Sequence, residues 1–193
     1  LYTFMKSIGY RVENPCYYES RRKVPQTTPN IIPIKDLRAA YDHSVGVTRV
    51  MLGILIASGI RIGELMNLEY HDIDTDQNTI KVHGKGAKDR VVHVPAHILY
   101  EIKCVKEHCP KNGKVFSIPE RMARKMIYEA LKPYSQAKQL SPHAIRHTFA
   151  TNLASQGVNV CTISTILGHN HLETTQKYID LAAAQKCDAP VIN

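Results

Sequence analysis

The chain has 193 residues, with 25 lysines and arginines against 17 aspartates and glutamates, a formal charge of +8, and 44% hydrophobic residues. This suits one full domain plus a small appendage with a real core, and it excludes disorder, collagen, a coiled coil, a disulfide miniprotein and a membrane channel. The longest apolar run, Val50 to Ile60 between Arg49 and Arg61, falls well short of the roughly 20 residues that span a bilayer. No charged-then-apolar leader opens the chain, and its start at Leu1 carries the expectation of a fragment of something longer. Cys16, Cys104, Cys109, Cys161 and Cys187 are odd in number and scattered, which fits a reducing compartment better than a disulfide framework. Cys104 and Cys109, with His108 beside them, lack a second pair at finger-like spacing and read as thiols on a helix.

In chain order, Leu1 to Gly9 reads as the tail of a helix. Asn14-Pro15, Arg21-Arg22-Lys23, Pro25, Pro29 and Pro33 then read as an extended basic linker. Lys35 to His43 is a short helix, and Thr48 to Ala57 an apolar one capped by Gly59. A further helix opens near Arg61 and carries Glu64. Asp72, Asp74, Asp76 and Asn78 mark turns; they lack the glycine and closing glutamate of a calcium loop. Thr79 to Val82 and Arg90 to Val94 form a hairpin with the glycine-rich tip Gly84-Lys85-Gly86-Ala87-Lys88. Helices follow at Ala96 to Glu107 and Pro119 to Leu131. Another runs from the Ser141-Pro142 start to Gly157, and one from Thr162 to Leu167 stops at Gly168. The last, capped by Asn170 with Glu173, carries Tyr178. The expected class is α+β, mainly α-helical with a small antiparallel β-sheet or hairpin.

The positive charge is concentrated. Between Lys111 and Arg146 eight cations face only Glu120 and Glu129, which points to a polyanion partner. On the Pro119 to Leu131 helix, Arg121, Arg124, Lys125, Tyr128 and Lys132 share one face, suited to phosphates. Met122, Met126, Ala130 and Leu131 share the face expected to be buried. An ordinary solvated helix face has the same pattern.

Four segments place polar groups where packing residues would be expected. In Ser58-Gly59-Ile60-Arg61-Ile62-Gly63-Glu64-Leu65, Arg61 sits between apolar neighbours and is expected to be partly buried and paired with Glu64 one turn on. Lys85 sits between glycines that allow close approach to a ligand. In Ser141-Pro142-His143-Ala144-Ile145-Arg146-His147, His143 and Arg146 share a face at a helix N-terminus, a natural anion site. Last come His169, after Leu167-Gly168, and Tyr178. Taken singly, each has a bland reading: an ion pair, a turn lysine, a capping histidine, a half-buried tyrosine. Together they suit metal-free phosphodiester chemistry, in which cations stabilise a phenolate and the charge building on phosphorus. No acidic cluster for two magnesium ions and no GxxxxGK[ST] loop are present in the sequence, which argues against a magnesium nuclease, a polymerase or an ATPase.

These segments resemble the tyrosine recombinases, or phage integrases, over roughly residues 27 to 181. "SGIRIGEL" is similar to the family's first-arginine box and "VHGKGAKDRVVHVP" to its lysine hairpin. "SPHAIRHTFATNLASQG" is similar to its His-x-x-Arg box and "ISTILGHNHLETTQKYID" to the box of the second histidine and nucleophile. The resemblance implies the DNA breaking-rejoining catalytic fold, with residues 1–26 as the end of a core-binding domain and linker. Residues 27–193 would be the catalytic domain, with the nucleophile helix and tail from about 173. It implies Tyr178 as the nucleophile joined to the 3′ phosphate, Arg61 and Arg146 on the non-bridging oxygens, and His169 as a further hydrogen-bond donor. Lys85 would be the general acid, His143 an aid to proton transfer and Glu64 an orienting group. Lys88, Arg90, Arg121, Arg124 and Lys125 are expected to contact DNA. It further implies double-stranded DNA as partner, a homotetramer on paired sites, and neither cofactor nor metal. A cytoplasmic, nucleoid-associated protein of prokaryotic, phage or mobile-element origin, with no membrane association, is expected. A type IB topoisomerase and an inactive DNA-binding module of the same fold are the alternatives.

Overall fold

A computed structural model describes residues 2–10, 29–84, 89–106, 113–169 and 172–187. The order is α1 (Tyr2–Ser7), α2 (Ile34–His43), α3 (Gly46–Ser58), α4 (Ile62–Met66), a single 3-10 turn (Tyr70–Asp72), β1 (Ile73–Asp74), β2 (Thr79–Val82), β3 (Arg90–His93), α5 (Ala96–Lys106), α6 (Glu120–Leu131), α7 (Pro142–Ser155), α8 (Val160–Leu167) and α9 (Glu173–Cys187). The basic linker, the hairpin tip with Lys85 and Lys88, and Cys16, His108, Cys109 and Asn170 lie outside the described residues. No described helix is long and apolar enough to cross a membrane.

The apolar run read from the sequence becomes α3, with Val50, Met51, Leu52, Ile54 and Leu55 all buried. Because it is hydrophobic nearly all round, α3 sits at the centre, against α2, α5, α6, α7 and β3. It ends at Gly59, whose φ of 61° is left-handed. A Cβ there would overlap the Phe149 ring at Cδ1, so both backbone and packing favour glycine.

The sheet has three antiparallel strands in the order β1-β2-β3, with Ile80 opposite Val92 and Val82 opposite Arg90. Asp74, expected in a turn, instead joins Ile73 in a short strand added to the hairpin. The reason is Asn78, which at φ 53° reverses the chain tightly enough for Ile73 to face Ile80. On α6 the buried stripe is Ala123, Ile127 and Leu131; Met122, expected inside, is exposed. The helix is rotated so that its small Ala123 approaches the core. The segment before α2 is fixed by Thr148 of α7, whose hydroxyl accepts from Ile32 N at 2.9 Å and donates to Ile32 O at 3.0 Å.

There are two apolar clusters. The larger joins α2 to α6, the sheet and the start of α7. The smaller consists of Ala150, Ile163, Leu167 and Tyr178, flanked by Phe149, Leu153, Ala154 and Val158, and joins α7, α8 and α9. Gly59 lies where the two meet, under Phe149. Gly59→Ala is expected to lower stability by at least about 1 kcal/mol from the left-handed backbone alone. Displacement of Phe149 should add to this loss. A shift of the urea midpoint checks it; an unchanged midpoint would contradict the packing described.

Candidate active site

The end of α8 organises the site. Gly168, at φ 64°, terminates the helix and leaves its last carbonyls without intrahelical partners. Three guanidiniums from three distant segments take them in turn. Arg90 Nε donates to Ile166 O at 2.7 Å, Arg146 Nη2 to Leu167 O at 2.6 Å and Arg61 Nη2 to Gly168 O at 3.2 Å. The negative end of the helix dipole favours cations at this position. The first-arginine, hairpin and His-x-x-Arg segments therefore meet at one point.

The three differ in exposure. Arg146 is 2% exposed, and its other described bond runs from Nη1 to Gly59 O at 2.8 Å. Among the described residues no carboxylate lies within salt-bridge distance of it. Burial, then the charge of Arg61, lowers its pKa to about 10, so it stays cationic at neutral pH. Arg61 was expected to be partly buried, but its side chain is 47% exposed; it pairs with Glu64 at 3.0 Å and opens onto the groove. Arg90, expected to face DNA, is instead 8% exposed and bound to Glu64 at 2.7 Å. Its strand position alternates with solvent-facing Val91, and it reaches the groove wall already paired with Glu64. Glu64 thus has two arginine partners, and its Oε2, which accepts from Arg90 Nη2, also accepts from Arg61 N at 2.8 Å. Burial pushes the Glu64 pKa up, but the Arg90 and Arg61 hydrogen bonds outweigh it and hold it below the ordinary carboxylate range.

Beside the arginines lie three imidazoles and the phenol. Ser141 caps α7, accepting from Ala144 N at 3.2 Å, and fixes the turn that carries His143 and Arg146. His169 Nδ1 lies 2.8 Å from Thr175 Oγ1, and its ring stacks on Tyr178 at 6.3 Å between centroids. His143 packs edge-on against His147 at 4.2 Å. His147 Nδ1 lies 2.7 Å from Tyr178 Oη, although the sequence reading gave this histidine no role. One signal was available: His147 is one turn after His143, on the same helix face. Thr175, fully buried against His169, was also missed; it is three residues before Tyr178 on α9.

Desolvation, reinforced by surrounding cations, lowers the pKa of His147 and of His169 to about 4, and it lowers that of His143 as well. These two imidazoles, His147 buried and His169 half-buried, are therefore neutral at pH 7, and a neutral His147 can accept the phenol proton at Nδ1. Tyr178 is 1% exposed. Burial raises its pKa, although Arg146 and Arg61 pull it down. The expected cationic stabilisation of a phenolate is present, but in this conformation burial outweighs it.

A groove of about 850 Å³ opens beside these groups, lined by Arg61, Glu64, Arg90, Arg124, Thr165 and His169 among others; Arg146, His143, His147 and Tyr178 lie outside its lining. Arg124, expected to contact DNA, reaches its wall but pairs with Glu120 at 2.9 Å. Arg121 and Lys125 are exposed on α6.

This mainly helical domain, with a groove bordered by arginines and His169, matches a known family: the sequence model described as the phage integrase family covers residues 34–185, and the chain belongs to that family. Its curated relatives include a protein named tyrosine recombinase XerA from Thermococcus kodakarensis, 34% identical over 168 residues, covering 81% of this chain and 60% of the relative. A tyrosine recombinase XerC from Staphylococcus aureus is 36% identical over 201 residues, covering 95% of this chain and 67% of the relative. The chain thus spans about two thirds or less of these relatives. Among solved structures, XerA recombinase superposes with a TM-score of 0.72 at 25% identity, over 95% of this chain and 70% of that one. The XerH site-specific recombinase in a post-cleavage complex with its difH substrate gives 0.77 at 21% identity, over 89% of this chain and 55% of that one. The fold is that of the tyrosine recombinase catalytic domain, as expected from the sequence.

The depressed Glu64 pKa has a consequence for stability. Its folded-state pKa lies below its unfolded value, so the ionised form stabilises the fold. That contribution is complete above the ordinary glutamate pKa of about 4.3 and is lost as pH falls through the depressed value. Glu64→Gln is expected to be destabilised at pH 7 and to lose less stability than the parent on acidification. Parallel urea titrations from neutral to acidic pH check this; parallel pH slopes would contradict it.

Proposed function

We propose that this chain is the catalytic portion of a site-specific DNA recombinase or integrase, cutting and rejoining strands through a 3′-phosphotyrosine without metal or ATP. The observation that carries this reading is the meeting of Arg61 and Arg146 on adjacent carbonyls beside His169, with the Tyr178 ring stacked next to it. Two fixed guanidiniums match the extra negative charge of a five-coordinate phosphorus. Family membership and relatives bearing the name tyrosine recombinase support it.

In the proposed reaction, Tyr178 Oη attacks phosphorus and its proton passes to the imidazole pair, with His147 nearest and His143 behind it. The bond from phosphorus to the 5′ oxygen breaks, and Lys85 supplies the proton that oxygen needs. Arg61, Arg146 and His169 hold the non-bridging oxygens. A 5′ hydroxyl then attacks the phosphotyrosine and restores the phosphodiester, so bond energy is retained and no nucleotide is consumed. Glu64 orients Arg61, and Arg90 acts through Glu64 as a positioning residue. Arg121, Arg124, Lys125 and Lys88 contribute phosphate contacts, Arg124 exchanging Glu120 for DNA.

With its hydroxyl on His147 and its ring in the smaller core, Tyr178 is at rest, and attack requires a shift of α9. Residues 1–26 are assigned to the end of a core-binding domain and linker, and 27–193 to the catalytic domain. Double-stranded DNA is the proposed partner, as in the substrate complex named for the XerH structure. A homotetramer on paired sites and a cytoplasmic, nucleoid-associated setting in a prokaryote, phage or mobile element complete the assignment.

The protein is expected to form a covalent adduct on a nicked suicide duplex, with EDTA present. Tyr178→Phe should bind the duplex and form none; an adduct with the Phe variant would remove Tyr178 as nucleophile. Arg61→Ala, at a largely exposed side chain, should slow single-turnover cleavage by about 10²–10³-fold, the effect of deleting one transition-state donor. An unchanged rate would remove Arg61 from the reaction.

A further inference from the structure

Away from the groove floor, at the root of the hairpin, two histidines and an aspartate meet. His83 follows β2, while His71 and Asp72 form the 3-10 turn before β1. His83 Nε2 is 2.8 Å from Asp72 Oδ1, and His71 Nε2 is 3.5 Å from the same oxygen. The three donor atoms lie within 4.8 Å of one another. Asp72 is 1% exposed, whereas His71 and His83 are 72% and 49% exposed.

Each imidazole has its other nitrogen on a carboxylate. His71 Nδ1 lies 3.2 Å from Glu69 Oε2, and His83 Nδ1 lies 3.1 Å from Asp89 Oδ1. Asp72 is fixed in turn, its Oδ2 accepting from Glu69 N at 3.0 Å. A carboxylate on Nδ1 sets the tautomer and turns the Nε2 lone pair outward, the arrangement that supports metal-bound histidines. Without an ion, a proton on Nε2 lets His83 donate to Asp72 Oδ1 at 2.8 Å. A divalent cation can replace that proton and join both imidazoles to the one carboxylate.

Spacing favours a small transition metal. Zinc bonds imidazole at about 2.0–2.1 Å, so tetrahedral ligand atoms sit about 3.3 Å apart. The two separations from Asp72 Oδ1, 2.8 and 3.5 Å, bracket that value, and the whole donor set lies within 4.8 Å, a span that the two exposed imidazoles would close on binding. Two imidazoles and one carboxylate are borderline ligands that suit zinc and its neighbours over magnesium or calcium. Glu69, Asp72 and Asp89 against Lys81, which pairs with Asp89 at 3.2 Å, leave a locally negative pocket in a basic protein. Sequence reading missed it because the ligands are separated by a strand and a turn and match no metal motif.

We propose that His71, Asp72 and His83 form a site for a divalent transition metal of the zinc class, oriented by Glu69 and Asp89, with one coordination position left for water. It ties the end of β2 to the turn before β1 and so braces the hairpin root. It stands apart from the proposed strand transfer, which needs no metal.

The test is cobalt(II) and zinc(II) titration of the purified chain. One cobalt ion per chain is expected, with the visible d–d bands of a tetrahedral site, and zinc should displace it. The His71→Ala/His83→Ala double variant removes two exposed side chains, and its folding is checked by circular dichroism. It should lose the bands. Asp89→Asn should weaken binding by about 10–100-fold, the usual effect of losing a carboxylate behind a ligand histidine. Zinc should raise the melting temperature of the parent but not of the double variant. Unchanged cobalt bands in the double variant, a thiolate-to-cobalt band marking cysteine ligation, or no uptake by the parent at millimolar metal would each overturn the proposal.

Discussion

Three arginines on three successive carbonyls at the end of α8 are the contact on which the rest of the site depends. A helix that stops at a left-handed glycine leaves its last carbonyls pointing onward with no partner in the helix. Here Arg90, Arg146 and Arg61 take Ile166, Leu167 and Gly168 in register. These charge-assisted bonds hold three like charges together where Coulomb repulsion would otherwise separate them. Glu64 completes the arrangement by pairing with both Arg90 and Arg61. Among the described residues Arg146 has carbonyl partners only, so no carboxylate neutralises its buried charge.

The same geometry explains why cationic charge is available in one place and spent in another. Arg90 is neutralised inside by Glu64, and Arg124 is paired at the groove wall by Glu120. The overall +8 is thus a poor guide to which side chains face a ligand. Exposure and partner decide that: Arg121 and Lys125 present their charge outward, and Arg61 is half exposed while sharing Glu64 with Arg90.

Tyr178 is held between opposing influences. The smaller apolar cluster encloses its ring, and His147 binds its hydroxyl. Burial favours the neutral phenol, whereas Arg146 and Arg61 favour the phenolate. Any movement that exposes the oxygen while keeping those arginines near removes the first influence and retains the second. Packing and acid–base behaviour are thereby linked through the placement of one helix, α9.

Much of the architecture was legible in the chain because its signals are local. Ser141-Pro142 starts α7, Gly59 and Gly168 end α3 and α8, and β-branched runs build the hairpin, each by effects confined to a few residues. The four boxes also named the family through residue order alone. Contacts across long separations were not legible: Arg90 pairs with Glu64, His147 with Tyr178, and His71 and Asp72 with His83. Nor was the rotation of α6 that exposes Met122, since helix periodicity defines a face without fixing which neighbour it meets. Composition and short-range pattern determine which elements form and which reactive groups the protein owns. Whether a given charge is buried, paired or open to a ligand depends on the relative placement of elements, and only the tertiary structure supplies that.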